Sequence, residues 1–176
     1  MAAKLVLNTE IRTKEKFEFS YRVTARKVCR EALRIADFPA DVEIELTVTE
    51  PAEMQEINRT YRGVDQETDV LSFPNLTYET PGDFRFLAQP CADWIDPDTG
   101  CVFLGSIVVN CDRVRAQALV YGHSTRREFA FLVAHSMMHL FGYDHETPED
   151  AAVMEAEQEL VLQRLGIGRG SAADES

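Results

Sequence analysis

The chain has 176 residues, 45% of them hydrophobic and 27% charged, which suits a globular protein large enough to bury a real core. Its formal net charge of −12 excludes a protein that coats nucleic acid non-specifically, because such binding needs a surplus of Lys and Arg to displace counterions. No segment approaches the ~20 apolar residues that span a bilayer and the first residues lack a signal-peptide layout, so a cytoplasmic protein with no membrane partner is expected.

Residues 4–8 alternate and predict a short strand. Residues 20–36 predict an amphipathic helix, with Ser20 at its N-cap and Val23, Val28, Ala32 and Ile35 along an apolar stripe. Asp37-Phe38-Pro39 stops it. Val42 to Thr49 alternates apolar with polar residues and predicts a half-buried strand. Pro51 suits the first turn of a helix that sets Met54, Ile57 and Tyr61 on one face. Val70 to Pro74 reads as another strand. Residues 75–100, rich in Pro, Gly, Asp and Thr around the single Trp94, predict a long loop or hairpin of functional or mobile character.

Val102 to Asn110 is apolar enough for a buried strand. A helix is expected from Asp112 to near Gly122. Thr125 and Glu128 have the spacing of a capping box, ahead of a long helix that is apolar on nearly every side, as for one running through the middle of a domain. Thr147-Pro148-Glu149-Asp150 opens a last helix to about Leu165, ended by Gly166 and Gly168. The small, polar residues 170–176 are expected to be disordered. This order implies an α+β fold, a single domain over residues 1–169 with a mixed β-sheet of about four strands covered by helices. The strand order is not legible.

The four cysteines, Cys29, Cys91, Cys101 and Cys111, form no Cys-x-x-Cys pair and are expected to be free thiols. Arg59, Arg113, Arg115, Arg126 and Arg127 read as solvated helix faces. Glu146, Glu149, Asp150, Glu155, Glu157 and Glu159 concentrate negative charge near the C-terminus.

Chemistry concentrates in His135-Ser136-Met137-Met138-His139-Leu140-Phe141-Gly142-Tyr143-Asp144-His145. His135 and His139 are one helical turn apart and share a face. Gly142 can end the helix in a left-handed conformation and return His145 towards them. Three imidazoles with a fourth position open are the donor set of a catalytic zinc ion, which polarises a phosphoryl or carbonyl oxygen and acidifies bound water. This places the metal site on a central helix. His123, outside the pattern, reads as a surface-loop histidine.

The same histidine spacing occurs in metallopeptidases, where a glutamate general base follows the first histidine. Here that position is Ser136, which cannot take the proton, so peptide hydrolysis is disfavoured. Upstream, Arg62 stands beside a turn at Gly63, suited to bind a phosphate in bidentate fashion. Asp144 is a candidate acceptor that orients a ligand histidine, and Asp144 or Glu146 a candidate base if folded nearby.

Two runs together carry a resemblance: Asn58 to Pro74, with Tyr61-Arg62 and Thr68-Asp69-Val70-Leu71-Ser72-Phe73-Pro74, and His135 to His145. They resemble the YbeY family of bacterial rRNA maturation factors, and Leu104-Gly105-Ser106-Ile107-Val108-Val109 is similar to the stretch between them. The resemblance implies a zinc-dependent, single-strand-specific endoribonuclease that acts in rRNA maturation at the 3′ end of small-subunit rRNA and in ribosome quality control. It implies His135, His139 and His145 as ligands of one Zn2+, Arg62 in the active-site cleft, and single-stranded RNA or rRNA as partner, with ribosomal small-subunit components besides and no DNA. Ser136 and Ser106 depart from the Gly and Asp usual in the family, and the 75–100 segment is longer than usual. The rival readings are a non-catalytic ribosome-assembly factor with a structural metal and, further off, a metallopeptidase.

Overall fold

Four strands, β1 (Leu5–Ile11), β2 (Val42–Thr49), β3 (Val70–Pro74) and β4 (Val102–Asn110), form one sheet in the order β1-β2-β4-β3. The computed structural model describes residues 3–89 and 91–167. β1, β2 and β4 run parallel, and β3 lies antiparallel to β4. A parallel pair needs a crossover, which α1 (Tyr21–Ile35) supplies between β1 and β2. The other helices are α2 (Pro51–Arg62), α3 (Cys111–Tyr121), α4 (Thr125–Leu140) and α5 (Pro148–Arg164). This is the α+β arrangement expected from the pattern, a mixed four-stranded sheet covered by helices.

Alternation decides the two faces of the sheet. Ile44, Leu46 and Val48 of β2 and Ile107 and Val109 of β4 join the main core with α1 and α4. Leu71 and Val108 point to the opposite face, where Met54 of α2 covers them. α4 runs between the sheet, α1, α3 and α5. Its Phe129, Leu132, Met137 and Leu140 are fully buried. Each such side chain contributes ~1.5–3 kcal/mol relative to exposure, so packing rather than intrinsic propensity holds this helix in place.

Several local expectations are corrected. β1 continues past residue 8 to Ile11, because Asn8, Thr9 and Glu10, though polar, still pair with β2 along the sheet edge. The cap of α4 is Ser124, whose hydroxyl accepts from the Arg127 amide at 3.0 Å, and no Thr125–Glu128 box forms. Glu128 is instead buried, and its carboxylate accepts from Gln117 at 2.7 Å and meets His123 Nε2 at 2.6 Å. His123 is thus a half-buried partner of that carboxylate rather than a surface-loop residue. Arg127 is likewise buried and not solvated: it pairs with Glu159 at 2.9 Å and donates to the Ile167 carbonyl.

The 75–100 segment has little regular structure, one 3-10 turn at Arg85–Ala88 and a bridge from Ile95 to Val102. It is nevertheless packed. Phe84 is buried against Phe38 and Phe141, with ring centroids at 4.9 and 5.4 Å. The Tyr78 hydroxyl donates to the Leu140 carbonyl at 2.7 Å, closing the end of α4. The four cysteines are free. No helix among the described residues is long and apolar enough to cross a membrane. Gly168 and residues 170–176 lie outside the described residues.

Candidate metal centre

The last turn of α4 delivers His135 and His139 to one side of the helix. Phe141 caps that helix, and Gly142 follows at φ 94, where a β-carbon would approach the Tyr78 ring to 2.6 Å. Only glycine combines that backbone angle with that proximity. The turn brings His145 back, and one donor nitrogen from each of the three rings lies within 4.8 Å of the others. Ring centroids are 4.7 Å apart for His135 and His139, 5.6 Å for His135 and His145, and 5.2 Å for His139 and His145.

The outward nitrogens have partners. His139 Nδ1 meets the Tyr143 carbonyl at 3.0 Å, and His135 Nδ1 meets Gln158 Oε1 at 3.1 Å. A carbonyl only accepts, so His139 carries its proton on Nδ1. The same assignment suits His135. The two Nε2 atoms then face each other at 3.2 Å with their lone pairs inward. Two nitrogens bound tetrahedrally to zinc at ~2.0–2.1 Å stand ~3.3 Å apart, so the spacing fits a cation between them. Burial lowers the His135 pKa, and burial with the neighbouring His135 pushes His139 down to about 4. Both rings are therefore neutral at pH 7, as metal ligation requires. These three residues can hold a metal ion.

The site opens into a cleft of about 690 Å³ whose walls include Arg62, Asp69, Ser72, Tyr143 and Glu146 with the three histidines. Arg62 is the last residue of α2, which Gly63 ends in the left-handed conformation at φ 70. Its guanidinium donates to the Ser72 carbonyl at 2.7 Å and lies 5.5 Å from the Phe73 ring centre. Arg62, which the resemblance implied for the active-site cleft, lines the same cleft as the three histidines.

Other candidates fare differently. Ser136 is fully buried and faces the sheet, its hydroxyl 2.8 Å from that of Ser72. The position of the peptidase glutamate is therefore buried behind the cleft wall at Ser72 and does not line the cleft. Asp144 lines the cleft but accepts from the His145 amide at 2.7 Å and does not hydrogen-bond a ligand ring. Ser106 bonds Glu45 at 3.1 Å on the sheet and does not line the cleft. Gln158, which orients His135, was not singled out. Its signal was present: Met154, Gln158, Val161 and Leu162 share the buried face of α5, so Gln158 is a polar residue on an apolar stripe.

A family model described as endoribonuclease YbeY matches residues 8–166. The endoribonuclease YbeY of Agathobacter rectalis is 51% identical over 153 residues, covering 87% of this chain and 93% of that protein. That of Lachnospira eligens is 46% identical over 169 residues, covering 94% of this chain and 100% of that one. The solution structure of TM1509 from Thermotoga maritima, 22% identical, matches with a TM-score of 0.51 over 89% of this chain and 91% of that chain, a likeness of fold. With both signature runs folded into one cleft and a match across nearly the whole length, the chain belongs to the YbeY family.

Proposed function

We propose that this chain is a zinc-dependent, single-strand-specific endoribonuclease that works in the cytoplasm on rRNA, at the 3′ end of the small-subunit species and in ribosome quality control. One observation carries the reading: three histidines, two with their outer nitrogens tied back, face one cleft with an arginine in its wall. His135, His139 and His145 hold the metal. Zinc bound there supplies Lewis acidity towards a phosphoryl oxygen and lowers the pKa of water that it binds.

Arg62 binds the scissile phosphate. One of its terminal nitrogens is tied to Ser72, which fixes the guanidinium plane, and its remaining N–H groups meet the phosphoryl oxygens. Gln158 and the Tyr143 carbonyl hold the ligand rings in the productive tautomer. The cleft opening beside β3 admits a single strand.

The test is cleavage of a single-stranded RNA oligomer by protein purified without a metal-affinity tag, with His139→Ala as control and metal content measured on both. Wild type cuts and contains about one zinc per chain; the variant does neither. Equal cutting by both would mark a contaminant and favour a non-catalytic assembly factor. Chelator-sensitive hydrolysis of casein would favour a peptidase.

A further inference from the structure

Away from the cleft, one helix is notably basic. α1 carries Arg22, Arg26, Lys27, Arg30 and Arg34 against one acid, Glu31, in a chain of net charge −12. Arg22, Arg26, Arg30 and Arg34 recur every fourth residue and form a ridge that rises ~6 Å per step. Ala25, Val28, Cys29 and Ala32 occupy the opposite, buried side. Arg34 is paired with Glu31. Arg22 and Arg26 donate to the Thr9 and Leu5 carbonyls of the edge strand β1, contacts that leave their charge uncompensated. Among the described residues, no carboxylate forms an ion pair with Arg22, Arg26, Lys27 or Arg30.

At its N-terminal end the ridge meets a hollow of about 340 Å³ whose wall includes Lys14, Lys16, Phe17, Phe19 and Arg22. Phe17 and Phe19 stack with centroids 5.5 Å apart, and Arg115 lies 5.5 Å from the Phe17 ring centre. Glu15, also in the wall, is engaged by Arg115. Cations flanking aromatic faces make a surface that follows a phosphate backbone and stacks a base. The ridge is mostly arginine, whose planar fork matches phosphate better than the point charge of lysine.

We propose that the Arg22–Arg30 ridge and the Lys14–Phe19 hollow are a second RNA contact, which holds the backbone of a substrate segment flanking the one in the metal cleft. The hollow shares no lining residue with that cleft. The inference rests on the reading of the chain as an endoribonuclease. In a chain of net charge −12, a cationic ridge also sets the orientation of approach. Cleavage of a short strand needs the cleft alone; capture of a longer, structured RNA needs both.

The experiment uses the full chain, a fluorescein-labelled hairpin RNA with a single-stranded tail, and the tail alone. Lys27→Glu with Arg30→Glu, both exposed and outside the catalytic machinery, weakens hairpin binding roughly tenfold and lowers the slope of log affinity against log salt by about two. Cleavage of the tail alone is unchanged. Lys27→Arg with Arg30→Lys keeps binding, and unaltered thermal melts show that both variants fold. Lys14→Glu with Lys16→Glu weakens binding in the same sense. Wild-type hairpin affinity and salt slope in the charge-reversed variants would overturn the proposal and leave the ridge to an acidic protein partner. Failure of the wild type to cut the tail would instead sink the endoribonuclease reading, while the binding measurements still report on the ridge.

Discussion

Gln158 of α5 meets His135 of α4 at 3.1 Å, so the orientation of a metal-site ring depends on a helix that contributes no ligand. Replacing Gln158 with Leu removes the acceptor while keeping the volume. Metal affinity is expected to fall ~10–100-fold, measured by competition with a chromophoric chelator. Gln158→Glu keeps an acceptor and is expected to retain most of it. Equal affinity in the Leu variant and wild type would show that the contact does not orient the ring.

Arg62→Ala is expected to lower kcat for RNA cleavage by about 10²-fold or more, as for loss of a transition-state donor. Zinc content stays at the wild-type level, because Arg62 is no ligand. The variant also loses the bond to the Ser72 carbonyl, so a melt distinguishes a displaced strand from a lost phosphate contact. Arg62→Lys restores charge without the fork and is expected to recover little.

The buried Ser72–Ser136 pair gives a sharp test of the divergence from peptidases. Ser136→Ala leaves the Ser72 hydroxyl without this partner and costs ~1–2 kcal/mol in urea unfolding. Ser136→Glu forces a carboxylate into a fully buried position and costs several kcal/mol or prevents folding. It confers no peptide hydrolysis. A stable Ser136→Glu variant that cleaves casein would refute the placement.

Glu43 is buried, and burial together with the adjoining Asp96 carboxylate raises its pKa. The same contact, with Glu43 as donor, lowers the Asp96 pKa. A protonated Glu43 can thus donate to the Asp96 carboxylate. The folded state keeps on Glu43 a proton that the unfolded chain releases, so this contribution to stability is full below the ordinary glutamate pKa. It is lost as pH rises through the raised value. Glu43→Gln can donate to Asp96 at every pH and still accept from Asn8. Its Tm is expected to match wild type at about pH 4 and exceed it at neutral pH. A difference in Tm that does not change with pH would refute the raised Glu43 pKa.

Gly142→Ala meets both a positive φ of 94° and the Tyr78 ring at 2.6 Å. A loss of more than ~1 kcal/mol is expected, with weaker metal binding because the turn aims His145. Calorimetry of the metal-free and loaded protein reads the two effects separately.

The sequence showed most clearly what depends on local spacing. Two histidines a turn apart, a helix-ending glycine and a third histidine define the candidate metal-binding group without tertiary information, and alternation located β1 and β2. Harder to read was which polar residue meets which across elements. Glu128 had the spacing of a capping partner, yet tertiary packing gave it to Gln117 and His123. Arg127 had the look of a surface residue until α5 and the chain beyond it supplied Glu159 and the Ile167 carbonyl. β1 was underestimated because an edge strand can be polar. Strand order, with β4 inserted between β2 and β3, depends on long-range pairing that no local pattern records.

Two of the three candidate ligands, His135 and His139, belong to a helix that is itself hydrophobic core. Substitutions on the sheltered side of α4, at Ala134, Met137 or Leu140, touch neither RNA nor metal, yet a shift of the helix axis would move both imidazoles at once. Tolerance to mutation should therefore be lower along this helix than at comparable depth in α1, and losses of activity there should precede any measurable unfolding.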